Sequence, residues 1–441
     1  MTRHPRSFLS AVVVGVVVAA SLLVVPVAAS TGASNAAPTP RRRVAVRAPA
    51  WQAEQGLGSL SFVREVAGVR DAWNTSDARG RKVTGKDVGV ALIDSGVTPV
   101  PGLDDDGLDN GPDLSLESPA DNLRYLDTFG HGTHMAGIIS GRDVGVAPDS
   151  KLLSLKVATS DGATDVSQVI AALDWVVQHR HEPGLDIRVI NLSFGTQSTQ
   201  DYRLDPLAYA VEAAWRKGIV VVISAGNDGN TTERLSDPAI DPYVIAVGAA
   251  DQNGTKARRD DRVADFSSRG SAARGPDLVA PGRSLVSLRV PGSAIDQEHP
   301  SARVASTPGT APRFFRGSGT SQSAAFVTGV VALLLQQRPE LSPDHVKALL
   351  TESADTIPAT DRRLQGAGLI DVKAAVSAPT PTGAVQQWPP ATGAGSLEAA
   401  RGASHVVDPE DGTLLTGEQD IFGQTWDGRS WAEASWAGRS W

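Results

Sequence analysis

The chain has no cysteine. That excludes disulfides, thiolate-held metals and a cysteine nucleophile, so stability must come from packing or bound ions. It also lacks a dominant charge. Over 441 residues the formal net charge is −8, with acids and bases interspersed, and basic clusters such as Arg41-Arg42-Arg43 are short. A nucleic-acid footprint is therefore not expected. Beyond the N-terminus, no run approaches the roughly 20 consecutive apolar residues of a membrane span.

What is present begins with Arg3, His4 and Arg6, followed by "AVVVGVVVAASLLVVPVAAS". A basic start, an apolar core and a small-residue exit form a secretory signal. Val27-Ala28-Ala29 suits cleavage before Ser30. An uncleaved anchor is the alternative, because the apolar run is long; Pro26 and the small residues after it favour cleavage. Residues 31–50, rich in Ala, Pro and Arg, read as a flexible lead-in.

The length suits one large α/β domain with extensions. From Gly85 to Ala378 strand-like and helix-like runs alternate. The strands are expected at Val88–Ile93, Lys151–Val157, Ile187–Leu192, Ile219–Ser224 and Tyr243–Ala249, and the helices at Ser167–Arg180 and Pro206–Lys217. Several strands are almost wholly apolar, as in "GIVVVIS", the pattern of parallel strands covered on both faces. The expected fold class is therefore α/β, a doubly wound, mostly parallel sheet with helices on both faces. Flexible N- and C-terminal extensions flank it. In such sheets function gathers at the carboxyl ends of strands and at helix N-termini.

Three short motifs fall at such places. Asp94 ends "VGVALID", His131 opens "HGTHMAGIISG", and Ser321 opens the apolar helical run after "GTSQS". A hydroxyl nucleophile, an imidazole to take its proton and a carboxylate to orient that imidazole are what acyl transfer needs. Each residue alone has an ordinary reading: Ser321 as a helix start, Asp94 as a cap or turn former, Asn227 as turn chemistry. His131 and His134 are spaced i, i+3 without the glutamate of a zinc helix, so no metal site is expected. His134 reads as a packing or orienting residue.

"ALIDSG", "HGTHMAG" and "GTSQSA" resemble, in order, the three signature motifs of the subtilisin-like serine peptidases. "ISAGNDGN" and "NLSFG" resemble two further motifs of that family, and together the five span about residues 85 to 375. The resemblance implies a secreted serine endopeptidase using Asp94, His131 and Ser321, with an acyl-enzyme intermediate. Asn227 would be the oxyanion donor, and Ser193, Phe194 and Gly195 would flank the pocket for the residue before the scissile bond. No cofactor is implied for the chemistry. The chain departs from the family pattern at Ala325, where proline is usual, at Met135, where a β-branched residue is usual, and in its short lead-in.

The expected division is a signal at 1–29, a lead-in or short propeptide at 30–72, and a peptidase domain at 73–378. A Pro/Gly-rich linker at 379–399 and a C-terminal extension at 400–441 follow. "LDDDGLDNGPDLS", residues 103–115, reads either as a structural calcium loop or as a solvated acidic loop, and the second is favoured because the EF-hand spacing is absent. Trp426, Trp431, Trp436 and Trp441 recur every five residues, a period of neither helix nor strand. They read either as exposed indoles that associate with the cell envelope or as a disordered or docked tail. The expected partners are thus polypeptides, joined by the envelope if the indoles are exposed, and not nucleic acid, and the expected state is a monomer. A non-catalytic surface-binding protein working through the tail is the alternative, and an esterase on the same site a third reading.

Overall fold

The structure is a computed structural model that describes residues 58–103, 107–306, 309–407 and 412–436, without the side chains of Glu433, Ser435 and Trp436. The signal, most of the lead-in, Asp104–Asp106 and Trp441 lie outside the described residues.

Eight strands form the main sheet: β1 (Gly89–Asp94), β2 (Leu108–Asp113), β3 (Lys151–Lys156), β4 (Ile187–Leu192), β5 (Val220–Ser224), β6 (Ile245–Asp251), β7 (Arg262–Val263) and β8 (Leu278–Pro281). Their order is β2-β3-β1-β4-β5-β6-β7, with β8 also on β6. Every pairing is parallel except β6 with β7. The five strands and two helices expected from the sequence appear with ends displaced by at most two residues. The fold class is the expected one.

The central strands are mainly apolar because both faces are covered, and β1 and β5 are buried at every position. Helices α1 (His131–Ser140) and α4 (Thr320–Gln337) pack on one another in one layer, and α2 (Val166–His179) and α3 (Pro206–Arg216) in the other. Helix α4 is buried from Thr320 to Gln336, so it is apolar all round instead of amphipathic. A small antiparallel sheet of β9 (Leu285–Leu288), β10 (Arg303–Ala305) and β11 (Pro312–Gly317) lies beside α1.

Strand β2 was not expected. It lies in the acidic segment, half exposed at the edge of the sheet, where backbone pairing to β3 needs no apolar side chains and charge protects the edge.

The linker and the C-terminal extension run over the domain surface on a series of hydrogen bonds. Tyr243 donates its hydroxyl proton to the Trp388 carbonyl, Ala391 N donates to Glu212, and Gly395 N donates to the Leu204 carbonyl. The short helix α5 (Leu397–Arg401) packs on α2 and α3. Arg401 and Asp165, both fully buried, form an ion pair with Nε to Oδ2 at 2.6 Å. The remaining guanidinium donors reach Glu398 and the carbonyls of Gly417 and Gln419. Asp165 is also the N-cap of α2, within a reciprocal capping box with Gln168.

Trp426 and Trp431 are buried in the main core, their rings 5.2 Å apart and Trp431 set edge-on to Tyr209 at 5.5 Å. Tyr209 donates to the carbonyl of Ala432 in α6 (Gly428–Trp436). Two of the four indoles of the repeat are therefore turned inward.

Removing one partner of a buried pair leaves the other charge uncompensated, at a cost of about 3–5 kcal/mol. Arg401→Ala should lose that much unfolding free energy in urea. A loss below about 1 kcal/mol would mean that the extension is not energetically joined to the domain.

Candidate active site

Asp94 ends β1 between β3 and β4, and α1 begins directly against the turn that follows it. The approach is tight: a Cβ on Gly132 would lie 2.1 Å from the Gly96 carbonyl oxygen, so only glycine fits there. This contact delivers His131 to Asp94, with Nδ1 at 2.8 Å from Oδ1 and 3.0 Å from Oδ2. Ser95 N also donates to Asp94 Oδ1.

A second buried carboxylate supports the pair. Asp127 accepts from Ser95 Oγ at 2.8 Å and from the N–H groups of Gly130 and Thr133, both at 2.7 Å. Gly130 occupies the N-cap position of α1 and has no side chain, so Asp127 supplies the capping acceptor from three residues upstream. Ser95 Oγ in turn accepts from Gly132 N. Sequence reasoning missed Asp127 and Ser95; the available signal was an aspartate just ahead of a helix start.

Burial disfavours the charged imidazole of His131, but Asp94, through its field and hydrogen bond, and Asp127, through its field, outweigh it. His131 is thereby raised above its ordinary value of 6.5. His134, one turn along α1, is buried without such a carboxylate. Burial first, and the nearby His131 second, lower it to about 3, which keeps it neutral. Its carbonyl accepts from Ser287 Oγ of β9 and fixes α1 to the small sheet, in keeping with the packing role expected. Met135 is fully buried, filling the place of a β-branched residue.

Ser321 stands in the first turn of α4, whose start is pinned by Ser323 Oγ donating to the Ala280 carbonyl of β8. Ala325, in the same stretch, is accommodated within a continuous helix. The positive end of the helix dipole points at this turn. Asn227 is oriented by the residue just before Ser321: Thr320 donates from N at 2.9 Å and from Oγ1 at 3.1 Å to Asn227 Oδ1. The amide oxygen is thus consumed, and the Nδ2 donors have no protein partner among the described residues. Gly226 before it has φ 109°, and a Cβ there would meet Ser236 Oγ at 2.3 Å.

Asp94, His131, Ser321, Asn227, Ser193, Phe194 and Gly195 all line one cleft of about 270 Å³. Ser193 Oγ contacts the Ser321 carbonyl at 3.4 Å and accepts from Asn191, whose amide oxygen is held by Thr328 of α4. His131 Nε2 is buried with no partner among the described residues. The cleft thus contains a hydroxyl, an imidazole nitrogen free to accept a proton, and an amide donor.

Asp113 uses both oxygens on Ser115 and Tyr125. Among the described residues no group of three or more His, Asp or Glu is arranged to hold a metal. Likewise, no described helix is long and apolar enough to cross a membrane.

A parallel α/β sheet with this cleft at its strand ends defines the class of subtilisin-like serine peptidases. Comparison with known proteins agrees: the Subtilase family (Peptidase_S8) model matches residues 85–368, and the chain belongs to that family. It is 37% identical to the serine protease AprX of Bacillus subtilis (strain 168) over 333 residues, covering 71% of this chain and 73% of that protein. With subtilisin BL of Lederbergia lenta it shares 31% identity over 303 residues, 68% of this chain and 94% of that one. Among solved structures, fervidolysin from Fervidobacterium pennivorans, a keratinolytic enzyme related to subtilisin, superimposes with a TM-score of 0.56 at 27% identity. That match covers 73% of this chain and 46% of the other. The chain is a serine-type peptidase.

Titrating the histidines by NMR should put the His131 midpoint above 6.5 and leave His134 neutral through the whole acid range in which the protein stays folded. Asp94→Asn removes the negative charge closest to the imidazolium, so the His131 midpoint should fall. An unchanged midpoint would contradict the pairing.

Proposed function

We propose that the chain is a secreted endopeptidase that hydrolyses peptide bonds through Asp94, His131 and Ser321 by way of an acyl-enzyme. The observation that carries this reading is the His131–Asp94 hydrogen bond within the cleft that also holds Ser321 and Asn227.

Ser321 Oγ attacks the scissile carbonyl carbon and gives its proton to His131 Nε2. Asp94 keeps Nδ1 protonated and offsets the charge formed on the ring. The carbonyl oxygen becomes an oxyanion, which accepts hydrogen bonds from Asn227 Nδ2 and Ser321 N at the positive end of α4. Collapse of this intermediate breaks the C–N bond, and the leaving amine takes the proton from His131. Water then repeats the sequence on the ester, giving its proton to His131, and Ser321 recovers a proton as the acid departs. Each proton and charge is handled by a side chain or N–H of this chain, so the scheme calls on no cofactor. Residues 193–195 give the substrate a backbone edge to pair with, which favours polypeptides over small esters.

Secretion rests on the signal pattern of residues 1–29. An envelope tether, or a non-catalytic binder working through the tail, would have to use indoles other than the buried Trp426 and Trp431.

A fluorophosphonate probe should label the protein lacking residues 1–29 and leave Ser321→Ala unlabelled; equal labelling of the two, or none of the folded parent, would refute the assignment of Ser321. Asn227→Ala should retain labelling but reduce kcat on peptide substrates by about 10²–10³-fold, the cost of one oxyanion donor. A loss confined to KM would place Asn227 in ground-state binding instead.

A further inference from the structure

The cleft has two banks, and a segment outside the family match joins them at one end. One bank is residues 193–197 and the other includes Gly162 and Thr164. Between them, Ala403 and Ser404 of the C-terminal extension also line the cleft. The extension is fixed to both banks. On one, Thr196 Oγ1 donates to the Ala400 carbonyl at 2.6 Å, and Gly402 is so close that a Cβ would lie 2.7 Å from the Gln197 carbonyl carbon. On the other, Arg401 is paired with Asp165, the residue after Thr164.

The position of this bridge relative to the reacting atoms follows from the chain direction. Ser193 touches Ser321, and the segment that follows β4 continues through Phe194 and Gly195 to Thr196. An extended peptide advances about 3.3 Å per residue. If its acyl part pairs with residues 193–195, it arrives beside Ala403 and Ser404 three to four residues ahead of the scissile bond.

We infer that the C-terminal extension supplies a specificity-determining wall of the substrate cleft, selecting a small, non-acidic side chain about four residues before the cleaved bond. The inference rests on the peptidase reading above. The chemistry of the wall sets the preference: Ala403 and Ser404 are small and uncharged, and so are Gly162 and Thr164 on the adjoining bank. Arg401 and Asp165 neutralise one another, whereas Asp228, a carboxylate that also lines the cleft, accepts at 2.8 Å from the neutral amide of Gln197, which offsets no charge. A large side chain would meet the bridge, and an acidic one would meet the Asp228 carboxylate with Arg401 already paired.

Chromogenic peptides with two or four residues ahead of the cleaved bond test this on the whole secreted chain. With alanine in the fourth position, the ratio of kcat/KM for the four-residue to the two-residue peptide should fall at least tenfold on Ala403→Leu. In the parent, tryptophan or glutamate at that position should be at least tenfold worse than alanine. A ratio within twofold of the parent's, or equal acceptance of alanine, tryptophan and glutamate, would overturn the wall while leaving the peptidase reading intact. Failure of the parent to cleave peptides of either length would overturn both.

Discussion

The site depends on how closely one helix can approach one turn. Helix α1 meets the turn after β1 at Gly132 and Gly96, at a distance that excludes even a methyl group. Widening that contact by the width of a side chain would separate His131 from Asp94, and the remaining groups would then have nothing to orient the imidazole. The Asp127–Ser95 network secures the contact from the polar side, since it binds the start of α1 and the turn through the same serine hydroxyl. A buried carboxylate is costly to desolvate, and here its acceptors are met by two N–H groups and a hydroxyl. The small residues of "HGTHMAG" are therefore a packing requirement as much as a chemical one.

The same logic governs Asn227. An amide can present either its oxygen or its nitrogen, and Thr320 settles which by donating twice to the oxygen. The residue immediately before the proposed nucleophile thus orients the proposed oxyanion donor, which couples the two.

Much of this was legible in the sequence, for physical reasons. Strands β1, β3, β4, β5 and β6 announced themselves because two-sided burial forces continuous apolar runs, and the motifs around Asp94, His131, Asn227 and Ser321 stood at strand ends and helix starts. Strand β2 did not, because an edge strand needs only its backbone and here carries Asp109, Asn110 and Asp113. Asp127 looked like any turn aspartate, since its value lies in three donors that converge only after folding. The Arg401–Asp165 pair joins residues 236 positions apart, beyond the reach of any local pattern. The tryptophan repeat had no helical period because Trp426 precedes α6 while Trp431 lies within it; both nevertheless turn into the core.

That long separation between Arg401 and Asp165 bears on the order of events during biosynthesis. A chain is made from its N-terminus, and domains fold largely in that order. Here the cap of α2 and part of the main core are completed by residues from the final tenth of the chain. The hydroxyl, imidazole and carboxylate can all have emerged while the far wall of their cleft has yet to arrive. Completion of the cleft therefore waits on Ala403 and Ser404, which lie beyond the end of the family match at residue 368.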